Sequence, residues 1–599
     1  MVGKTLVTTA IEQTWPKIES EPALFLGEWC KRYIRKEKWA KLNATVVPYH
    51  WDDRKILYKD YKYLEGLYEN LLLELSYKLN KIHSVEFSVH YWRILIGPWL
   101  GYFIQILFDR WTMLGKSIES FEFLNCRIIE RDPLSVTPND MNHFISFYKN
   151  DDWNEAIYGQ LLEKYFSKLI KIEKVKLQQK NKNSVIRQGL NVKLSSQLKR
   201  WVLQLSALIP GKDLHFFIST YLPLKTNMML QLRLGQIPRI WKSPDPPIAM
   251  ADESKRQWQL GVNEFNDGSF ETILRQFIPL QIPTCYLEGY DRLMKVVDQL
   301  PWPNKPKSMF TSDCYSSDDV FKAWSAGKVE TNTPLIIGQH GGHFGMNLFS
   351  FHEEHQIKIA SKWVSWGWKD VTRPQIIPVG NLKIFGKKVA YNLSGGALMV
   401  EMLIPPFSYH LSAFPVSRQW LDYYSDQKAF LGALSKTLRK QVLLRLYYGE
   451  VEGWNQFERW QEEMPEVKLD LGKQDITKLL GKSRLCIVSY NATTYLETFS
   501  WNIPTIIFWN QEHWELREEV KPYFDLLHSV GIFHKTPESA AQHMTEVWDD
   551  VSSWWESSEV QNAKIEFCKQ FSNNSDNLIG NLKSLFQDIS RGNDLSASD

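Results

Sequence analysis

Short apolar runs alternate with amphipathic segments from Ile282 onward, and this alternation constrains the fold more than any other feature. The runs have the length and the β-branched or aromatic content of buried strands. The predicted strands are Ser308–Thr311, Pro334–Gly338, Trp363–Trp366, Gln375–Val379, Lys388–Leu393, Leu398–Leu403, Leu485–Ser489 and Thr505–Phe508. Because alternating strands and helices build parallel sheets that are covered on both faces, the chain is predicted to have an α/β fold.

The first half of the chain shows one strand signal followed by long helical stretches. Leu6–Ile11 is a short β-branched run that predicts the first strand of an α/β layer. Residues 56–114 and 138–208 keep helical periodicity with few Gly or Pro. The polar segment Lys168–Lys182 is interpreted as a solvated helix face or an exposed connection.

The length of the chain predicts more than one domain, because 599 residues exceed the size at which a single core keeps growing. We predict two Rossmann-like domains that face a cleft, at residues 1–385 and 386–565. The first carries a helical insertion that covers positions 50–230 approximately. A helix at 566–590 is expected to pack back, and 591–599 is expected to be a polar tail.

Charge and cysteine usage exclude some classes of function. The 71 basic and 68 acidic residues nearly balance, which argues against nucleic-acid binding. The six cysteines are widely spaced without a CxxC pair, so free thiols in a reducing, cytoplasmic compartment are expected. The apolar run Ile94–Phe108 is shorter than the roughly 20 residues that span a bilayer. It predicts either a buried helix or a peripheral contact at the inner face of the membrane.

A small polar loop between two predicted strands, Ser489 to Glu497, has the pattern of a phosphate site. A helix is expected to start near Ala492, and a helix N-terminus offers unpaired N–H groups to phosphate oxygens. Thr493 and Glu497 lie four residues apart on one helix face, where they present a hydroxyl to phosphate and a carboxylate to ribose. The alternative is a capped helix with an incidental glutamate. The predicted donor-binding residues of this stretch are Ser489, Asn491, Thr493, Thr494 and Glu497.

A glycine-rich loop with two histidines follows the predicted strand Pro334–Gly338. Its glycines allow close approach of a ligand, and His340 is predicted to contact phosphate or a reacting hydroxyl. Gln339 and His343 are predicted to face the acceptor, and Glu354 is a candidate catalytic carboxylate. A structural turn is the alternative. Metal binding is less favoured, because His352 to His355 is not an HExxH motif and neither Cys nor a carboxylate triad accompanies it.

Carboxylates and one arginine complete the candidate residues. Asp313 and Asp319 are candidates for a catalytic base or nucleophile, although capping of the next helix is the alternative for Asp318 or Asp319. The basic residues of the stretch from Arg439 to Arg445 are interpreted as falling at helical spacing. Arg445 lies among apolar residues, and a partly buried arginine needs an anion such as a donor phosphate. The chain lacks a clean DxD motif, so no metal cofactor is expected.

These motifs carry a resemblance that covers nearly the whole chain. Its carriers are Leu6–Pro16, Phe25–Cys30, Gly338–Gly345, Trp366–Trp368 and Ser489–Glu497 with Asn502–Phe508. On them the chain resembles a family of bacterial transferases encoded in O-antigen and surface-polysaccharide clusters. The loop at Ser489 resembles the donor loop of glycosyltransferases with the two-domain GT-B fold. The Gln339-His340-Gly341 stretch is distantly similar to enzymes that transfer Kdo-type ulosonic acids from CMP donors.

The resemblance implies a GT-B-like glycosyltransferase that uses a CMP-, UDP-, GDP- or dTDP-linked sugar. The acceptor it implies is a glycan or a lipid-linked glycan, entering near Glu12 in the first domain. Two alternatives are a transferase of glycerol or ribitol phosphate with the same GT-B-like fold and a non-catalytic scaffold protein of polysaccharide assembly.

Overall fold

The computed structural model describes residues 3–121, 125–176, 214–261, 269–449 and 453–596, with side chains described up to residue 591. Three parallel sheets with helices packed on them form these parts of the chain. The prediction of an α/β fold is therefore confirmed. Residues 5–378 contribute two of the sheets, whereas the sequence indicated one Rossmann-like domain with a helical insertion over positions 1–385. The domain boundaries remain a prediction.

The first sheet has the strand order β3-β2-β1-β4-β5, and every neighbouring pair is parallel. Its strands are β1 Thr5–Val7, β2 Ala23–Phe25, β3 Ala44–Val46, β4 Asn125–Ile129 and β5 Lys171–Val175. The last strand falls within Lys168–Lys182, so the interpretation of that segment as a helix face or connection was wrong for these residues. The rest of it, from 177 onward, lies outside the described residues, as do positions 177–208 of the predicted helical stretch.

The second sheet has the order β10-β9-β8-β7-β6 and is also parallel throughout. Its strands are β6 His215–Phe217, β7 Ser308–Thr311, β8 Leu335–Gly338, β9 Lys362–Ser365 and β10 Ile376–Pro378. Strands β7 and β8 are fully buried, β9 is largely buried, and β10 has one buried residue, Ile376. All four match predicted strands within one residue at each end.

The third sheet has the order β13-β12-β11-β14-β15-β16. Its strands, all parallel to their neighbours, are β11 Gly396–Val400, β12 Val442–Arg445, β13 Lys468–Asp470, β14 Ser483–Val488, β15 Thr505–Phe508 and β16 Phe533–His534. The predicted strand Lys388–Leu393 was wrong. That segment leads from the second sheet to the third, and its Val389 and Tyr391 pack on the core without joining a ladder.

The helices connect the strands and cover the sheets. They are α1 Lys36–Trp39, α2 Arg54–His83, α3 Val89–Ser120, α4 Met141–Tyr148, α5 Asp151–Leu161, α6 Leu224–Arg233, α7 Phe270–Gln281, α8 Tyr290–Asp298, α9 Cys314–Ser317, α10 Asp319–Glu330, α11 Phe351–Ile359, α12 Gln419–Ala433, α13 Lys436–Arg439, α14 Gln456–Glu463, α15 Ile476–Leu480, α16 Thr493–Ser500, α17 Lys521–Ser529, α18 Pro537–Val547, α19 Val551–Trp555, α20 Ser558–Phe571 and α21 Leu578–Ser596. The C-terminal region thus contains two helices. The second of them continues through the first part of the predicted polar tail, because α21 ends at Ser596.

The long helices α2 and α3 confirm the predicted helical stretch at 56–114. Asp53 caps α2 by accepting from the backbone N–H of Lys55 at 2.9 Å, and Ser88 caps α3. The run Ile94–Phe108 is buried on nearly all sides, which favours the buried-helix interpretation over a membrane contact. None of the described helices is both long and apolar enough to cross a membrane.

Helix α3 approaches α11 closely at Gly101. A Cβ atom at Gly101 would lie 1.8 Å from Cζ of Phe351, so the aromatic ring occupies the space that a side chain would need. We expect Gly101→Ala to destabilise the protein by about 1–3 kcal/mol, because inserting a methyl group here overpacks the contact. Gly115→Ala is the matched control, since no described atom outside its own helix lies within 4 Å of a Cβ placed there. Equal thermal midpoints for the two variants would contradict this packing.

Candidate active site

Two loops from facing sheets meet at the carboxyl ends of their strands. One is the loop that follows β8, Gln339–Gly345, called here the histidine loop; the other follows β14 and leads into α16. The backbone N–H of Gly342 donates to Thr493 Oγ1 at 3.2 Å, and Asn491 Nδ2 donates to Asn347 Oδ1 at 3.2 Å. Open α/β sheets bind ligands beyond the carboxyl ends of their strands, so these loops mark the candidate site.

Gly342 is the point of closest approach. A Cβ atom there would lie 2.5 Å from the carbonyl carbon of Ala492 and 2.7 Å from the nitrogen of Thr493. The backbone of the histidine loop therefore rests directly on the first turn of α16. The sequence predicted that these glycines allow close approach of a ligand, and at Gly342 the close approach is to the backbone of Ala492 and Thr493.

Gln339 holds the histidine loop in shape. Its side-chain oxygen accepts from the backbone N–H of Trp366 at 2.9 Å and from Trp368 Nε1 at 3.0 Å. Its side-chain nitrogen donates to the carbonyl oxygen of Gly341 at 2.8 Å, and the residue is fully buried. The side chain of Gln339 thus forms its hydrogen bonds with the Trp366–Trp368 turn and with Gly341, which argues against its predicted contact with an acceptor.

The two adjacent glutamates of α11 differ in their surroundings. Glu353 is buried, accepts from the backbone N–H of Gly345 at 2.8 Å and pairs with Arg517, so it fixes the end of the histidine loop. Glu354 is half-buried and forms an ion pair with Arg373 at 2.7 Å. Its carboxylate is therefore neutralised beside the loop, which weakens the case for Glu354 as a catalytic group.

Four histidines line the interior of the site. The ring of His340 lies 5.4 Å from that of His352, which lies 5.7 Å from that of His410, and His343 belongs to the same loop. Tyr315 Oη hydrogen-bonds to His352 Nε2. Burial lowers the pKa of His352 to about 4 and that of His343 to about 3, and it holds the pKa of His340 and His410 well below the usual range. The site therefore presents neutral imidazoles at neutral pH.

These histidines predict a loss of stability in acid. An unfolded histidine takes up its proton below a pKa of about 6.5, whereas folded His352 does so only near 4. Because the unfolded state binds more protons between these values, stability falls as pH drops from 6.5 toward 4, by up to about 1.4 kcal/mol per pH unit for each such group. Glu155 has the opposite effect on stability, because burial raises its pKa in the folded state to about 7. The folded state therefore binds this proton at a higher pH than the unfolded state does, which stabilises the protein as the pH falls.

We therefore expect His352→Gln to reduce the fall in thermal midpoint between pH 7 and pH 5. The exposed His528 supplies the control, His528→Gln. An unchanged pH dependence in the His352 variant would contradict the assignment.

Asp313 and Asp319 have opposite environments. Asp319 is fully buried, pairs with Lys322 at 2.7 Å, and accepts from the backbone N–H of Met141 at 2.8 Å and from Tyr286 Oη. This structural role removes Asp319 from the catalytic candidates. Asp318 caps α10 by accepting from the backbone N–H of Phe321 at 2.9 Å, which confirms the capping alternative for that residue.

The carboxyl group of Asp313 remains at the cleft. It is solvent-exposed, and within the described parts of the chain no side chain hydrogen-bonds to it. Desolvation by the surrounding walls nevertheless raises its pKa. The nearby Tyr221 stands 5.8 Å from His340 between ring centroids, and the Asp313 charge contributes to raising the pKa of its hydroxyl. Asp313, Tyr221 and His340 therefore share one wall of the site.

Most side chains of the predicted donor loop form hydrogen bonds with other side chains of the protein. Ser489 Oγ hydrogen-bonds to Tyr423 Oη at 2.9 Å, and Thr494 Oγ1 to Tyr490 Oη at 2.7 Å. The side chain of Asn491 bridges to Asn347 and is fully buried. Thr493 is half-buried at the helix start, and the N-cap residue Ala492 supplies no side-chain hydrogen bond. The backbone of this helix end, more than its side chains, therefore remains suited to an anion.

Glu497 has a cationic partner that the sequence analysis missed. Its carboxylate pairs with Lys383 Nζ at 2.8 Å, and Lys383 follows β10 of the facing sheet. The ammonium group is partly exposed while the carboxylate is buried. Glu497 therefore holds a cation near the first turns of α16.

Arg445 and Glu12 lie elsewhere in the fold. Arg445 ends strand β12, so the helical spacing inferred for it was wrong. Its anion is Asp470, at 2.7 Å, and it also donates to the carbonyl oxygens of Gly472 and Gln474. Glu12 follows β1 in the first sheet, where it pairs with Arg35 at 3.4 Å and with Lys38.

Tyr221, Tyr315 and His410 also belong to the site, and they were not predicted from the sequence. They follow strands β6, β7 and β11, which are far apart in the sequence. They lie near the histidine loop only because the sheets bring the ends of these strands together. Among the residues that the structure describes, no group of three or more His, Cys, Asp or Glu side chains is arranged to hold a metal ion.

Comparison with known proteins identifies a family over almost the whole chain. Residues 4–586 match the family described as LIC12162 family transferase. No curated protein matches the chain.

Solved structures with some similarity include an α,α-trehalose-phosphate synthase (UDP-forming) from Burkholderia vietnamiensis, at 8% identity and a TM-score of 0.34, covering 64% of this chain and 100% of that one. Acinetobacter baumannii MurG is 12% identical with a TM-score of 0.31, and Arabidopsis thaliana UGT89C1 is 13% identical with a TM-score of 0.32. Each covers 63% of this chain and 100% of its own. At these scores the similarities carry no inference about substrates.

Proposed function

Because this chain belongs to the LIC12162 family of transferases, we propose that it transfers a sugar from a nucleotide sugar to an O-antigen or other surface-polysaccharide acceptor. The observation that carries the proposal is the contact between the histidine loop and the first turn of α16, where Gly342 meets Thr493. It brings a helix N-terminus, four neutral histidines and one free carboxyl group to the facing edges of two sheets.

The donor phosphate binds at the start of α16. A helix N-terminus has unpaired N–H groups and the positive end of the helix dipole, and both stabilise phosphate oxygens. Lys383, held by Glu497, adds a positive charge to the donor side. The ion pair gives Glu497 a role in placing this cation, in addition to the ribose contact predicted from the sequence.

The acceptor binds on the wall formed by Asp313, Tyr221 and His340. In the transfer, a hydroxyl of the acceptor loses its proton, its oxygen bonds to the anomeric carbon, and the bond from that carbon to the donor phosphate breaks. Asp313 accepts the proton, since a carboxylate with a raised pKa is a stronger base than an ordinary one. Neutral His340 orients the hydroxyl, and the nucleotide phosphate leaves against the N–H groups of α16.

The donors to be compared are sugars linked to CMP, UDP, GDP and dTDP. The Gln339-His340-Gly341 stretch is the reason for including CMP-linked ulosonic acids. The acceptor is a glycan or a lipid-linked glycan, and the reaction takes place on the cytoplasmic side of the membrane, where nucleotide sugars are available.

The test is to incubate the full chain with each donor and a lipid-linked oligosaccharide fraction, and to measure the mass of the products. We expect one donor to add a single sugar mass to the acceptor, with stoichiometric release of its nucleotide and a much slower reaction with Asp313→Asn. Transfer of a polyol phosphate from CDP-glycerol or CDP-ribitol would replace this proposal with the alternative activity. Failure to consume any donor would contradict an enzymatic role.

A further inference from the structure

The outer face of helix α6 is apolar and exposed. Leu224, Met229 and Leu232 are 55%, 46% and 61% exposed, although ordinary surface helices turn such side chains inward. Met228 is half-exposed on the same face, at helical spacing from Leu224 and Leu232. The inner face, with Leu230 and Gln231, is buried, and Leu230 belongs to an apolar cluster that strands of the second sheet form with α21. The helix therefore leaves an apolar stripe that is exposed on the surface of the described parts of the chain.

A cation lies at each end of this stripe. Lys225 and Arg233 are exposed at its two ends. The sequence has neither Asp nor Glu from residue 214 to residue 244. Apolar side chains flanked by cations match a bilayer surface with anionic headgroups, where the apolar groups enter the acyl boundary and the cations remain at the headgroups.

A second copy of the chain fits this face poorly. In a twofold dimer the same patch contacts itself, so Lys225 and Arg233 would oppose the same cations of the other copy. Like charges placed opposite one another disfavour such pairing. Charge complementarity thus selects an anionic surface over self-association.

The stripe adjoins the candidate active site. Tyr221 lies three positions before Leu224, and its ring stands 5.8 Å from that of His340. Asn227 of α6 donates to Thr220 Oγ1 at 3.3 Å, which ties the first turn of the helix to the same cleft wall. A surface bound to α6 would therefore lie beside the acceptor side of the cleft.

We propose that the outer face of α6 docks on an anionic lipid bilayer, so that the cleft takes a lipid-linked acceptor directly from the membrane surface. The docking itself follows from the stripe and its charges, and only the identity of the acceptor rests on the proposed function. The peripheral contact is thereby assigned to α6, whereas the apolar run Ile94–Phe108 that suggested it in the sequence is buried in α3.

The experiment is co-sedimentation of the full chain with vesicles of phosphatidylcholine alone and of phosphatidylcholine with phosphatidylglycerol. We expect binding to the anionic vesicles that weakens in 0.5 M salt, since the Debye length then falls to about 4 Å. The double variant Met229→Glu/Leu232→Glu should weaken binding by about tenfold or more, because it removes apolar burial and adds repulsive charge. Ile565→Glu is the matched control, since Ile565 is an exposed apolar residue on α20.

Two results would overturn the proposal. One is a wild-type chain that does not bind anionic vesicles; the other is a double variant that binds them as well as the wild type. A wild-type dimer that the double variant dissociates would assign the face to self-association instead. Vesicle binding is measured without a nucleotide sugar. A failure to bind vesicles can therefore be distinguished from a failure to transfer sugar. The turnover of a water-soluble acceptor should be the same in the double variant and the wild type.

Discussion

Asparagine in place of Asp313 is expected to lower the rate of sugar transfer by about 10²–10⁴-fold, the usual contribution of a general base. Asn keeps the size of the side chain and removes only its ability to take a proton. Asp313 is exposed at the cleft, and no described side chain hydrogen-bonds to its carboxyl group, so we expect an unchanged thermal midpoint. Steady-state kinetics with the preferred donor, together with thermal unfolding, measure both quantities.

Asp319→Asn should have the opposite effect. Its carboxylate is buried against Lys322, and removing the charge leaves an ammonium group buried without its counter-ion. Breaking a buried pair in this way costs about 3–5 kcal/mol. We therefore expect a large loss of stability for the Asp319 variant and a large loss of turnover for the Asp313 variant. A fully active Asp313→Asn enzyme would contradict the assignment of the base.

Gly342→Ala is expected to reduce transfer by about 10²-fold, because displacing a binding wall by roughly 1 Å has effects of that size. The new methyl group would lie 2.5 Å from the carbonyl carbon of Ala492, so the histidine loop and the start of α16 must move apart. Backbone atoms are the neighbours, and a side-chain rotation cannot relieve the contact. The fall should appear in kcat and in nucleotide affinity, since both groups of residues are displaced.

Gly327→Ala is the control for this substitution. Gly327 lies in α10, and a Cβ there has no described atom outside its own helix within 4 Å. Alanine in a helix interior is more favourable than glycine by about 0.5–1 kcal/mol, so this variant should be as stable as the wild type or more so. If Gly342→Ala transferred sugar at the wild-type rate, the loop contact would have no part in the reaction.

The α/β fold could be predicted because buried strands give continuous apolar runs. Strands β7 and β15 match their predicted ranges, β8 differs by one residue at one end, and β9 and β10 differ by one residue at both ends. In the first sheet only the run Leu6–Ile11 was predicted as a strand, and it overlaps β1 at Leu6 and Val7. The strands β1, β2 and β3 have three residues each and are too short to show a period. Strand β12 was read as helix because its basic neighbours happen to fall at helical spacing.

The candidate site could be predicted in outline and only partly in detail. His340 and Thr493 follow strands of facing sheets, so their proximity follows from the rule for open α/β sheets. Whether a polar side chain faces a ligand or the protein depends on its tertiary partner. Gln339 binds the Trp366–Trp368 turn and Arg445 binds Asp470, and no local pattern reveals either partner.

Nucleotide binding tests the central claim most directly, through a thermal-shift titration of the wild type and Thr493→Val with CMP, CDP, UDP, GDP and dTDP. At 100 times its dissociation constant a nucleotide adds about 2.7 kcal/mol of stability. If the donor phosphate binds where Thr493 meets Gly342, one nucleotide should raise the thermal midpoint of the wild type, and Thr493→Val should respond much less. No shift with any of the five nucleotides, or the same shift in both proteins, would contradict a donor site at the start of α16.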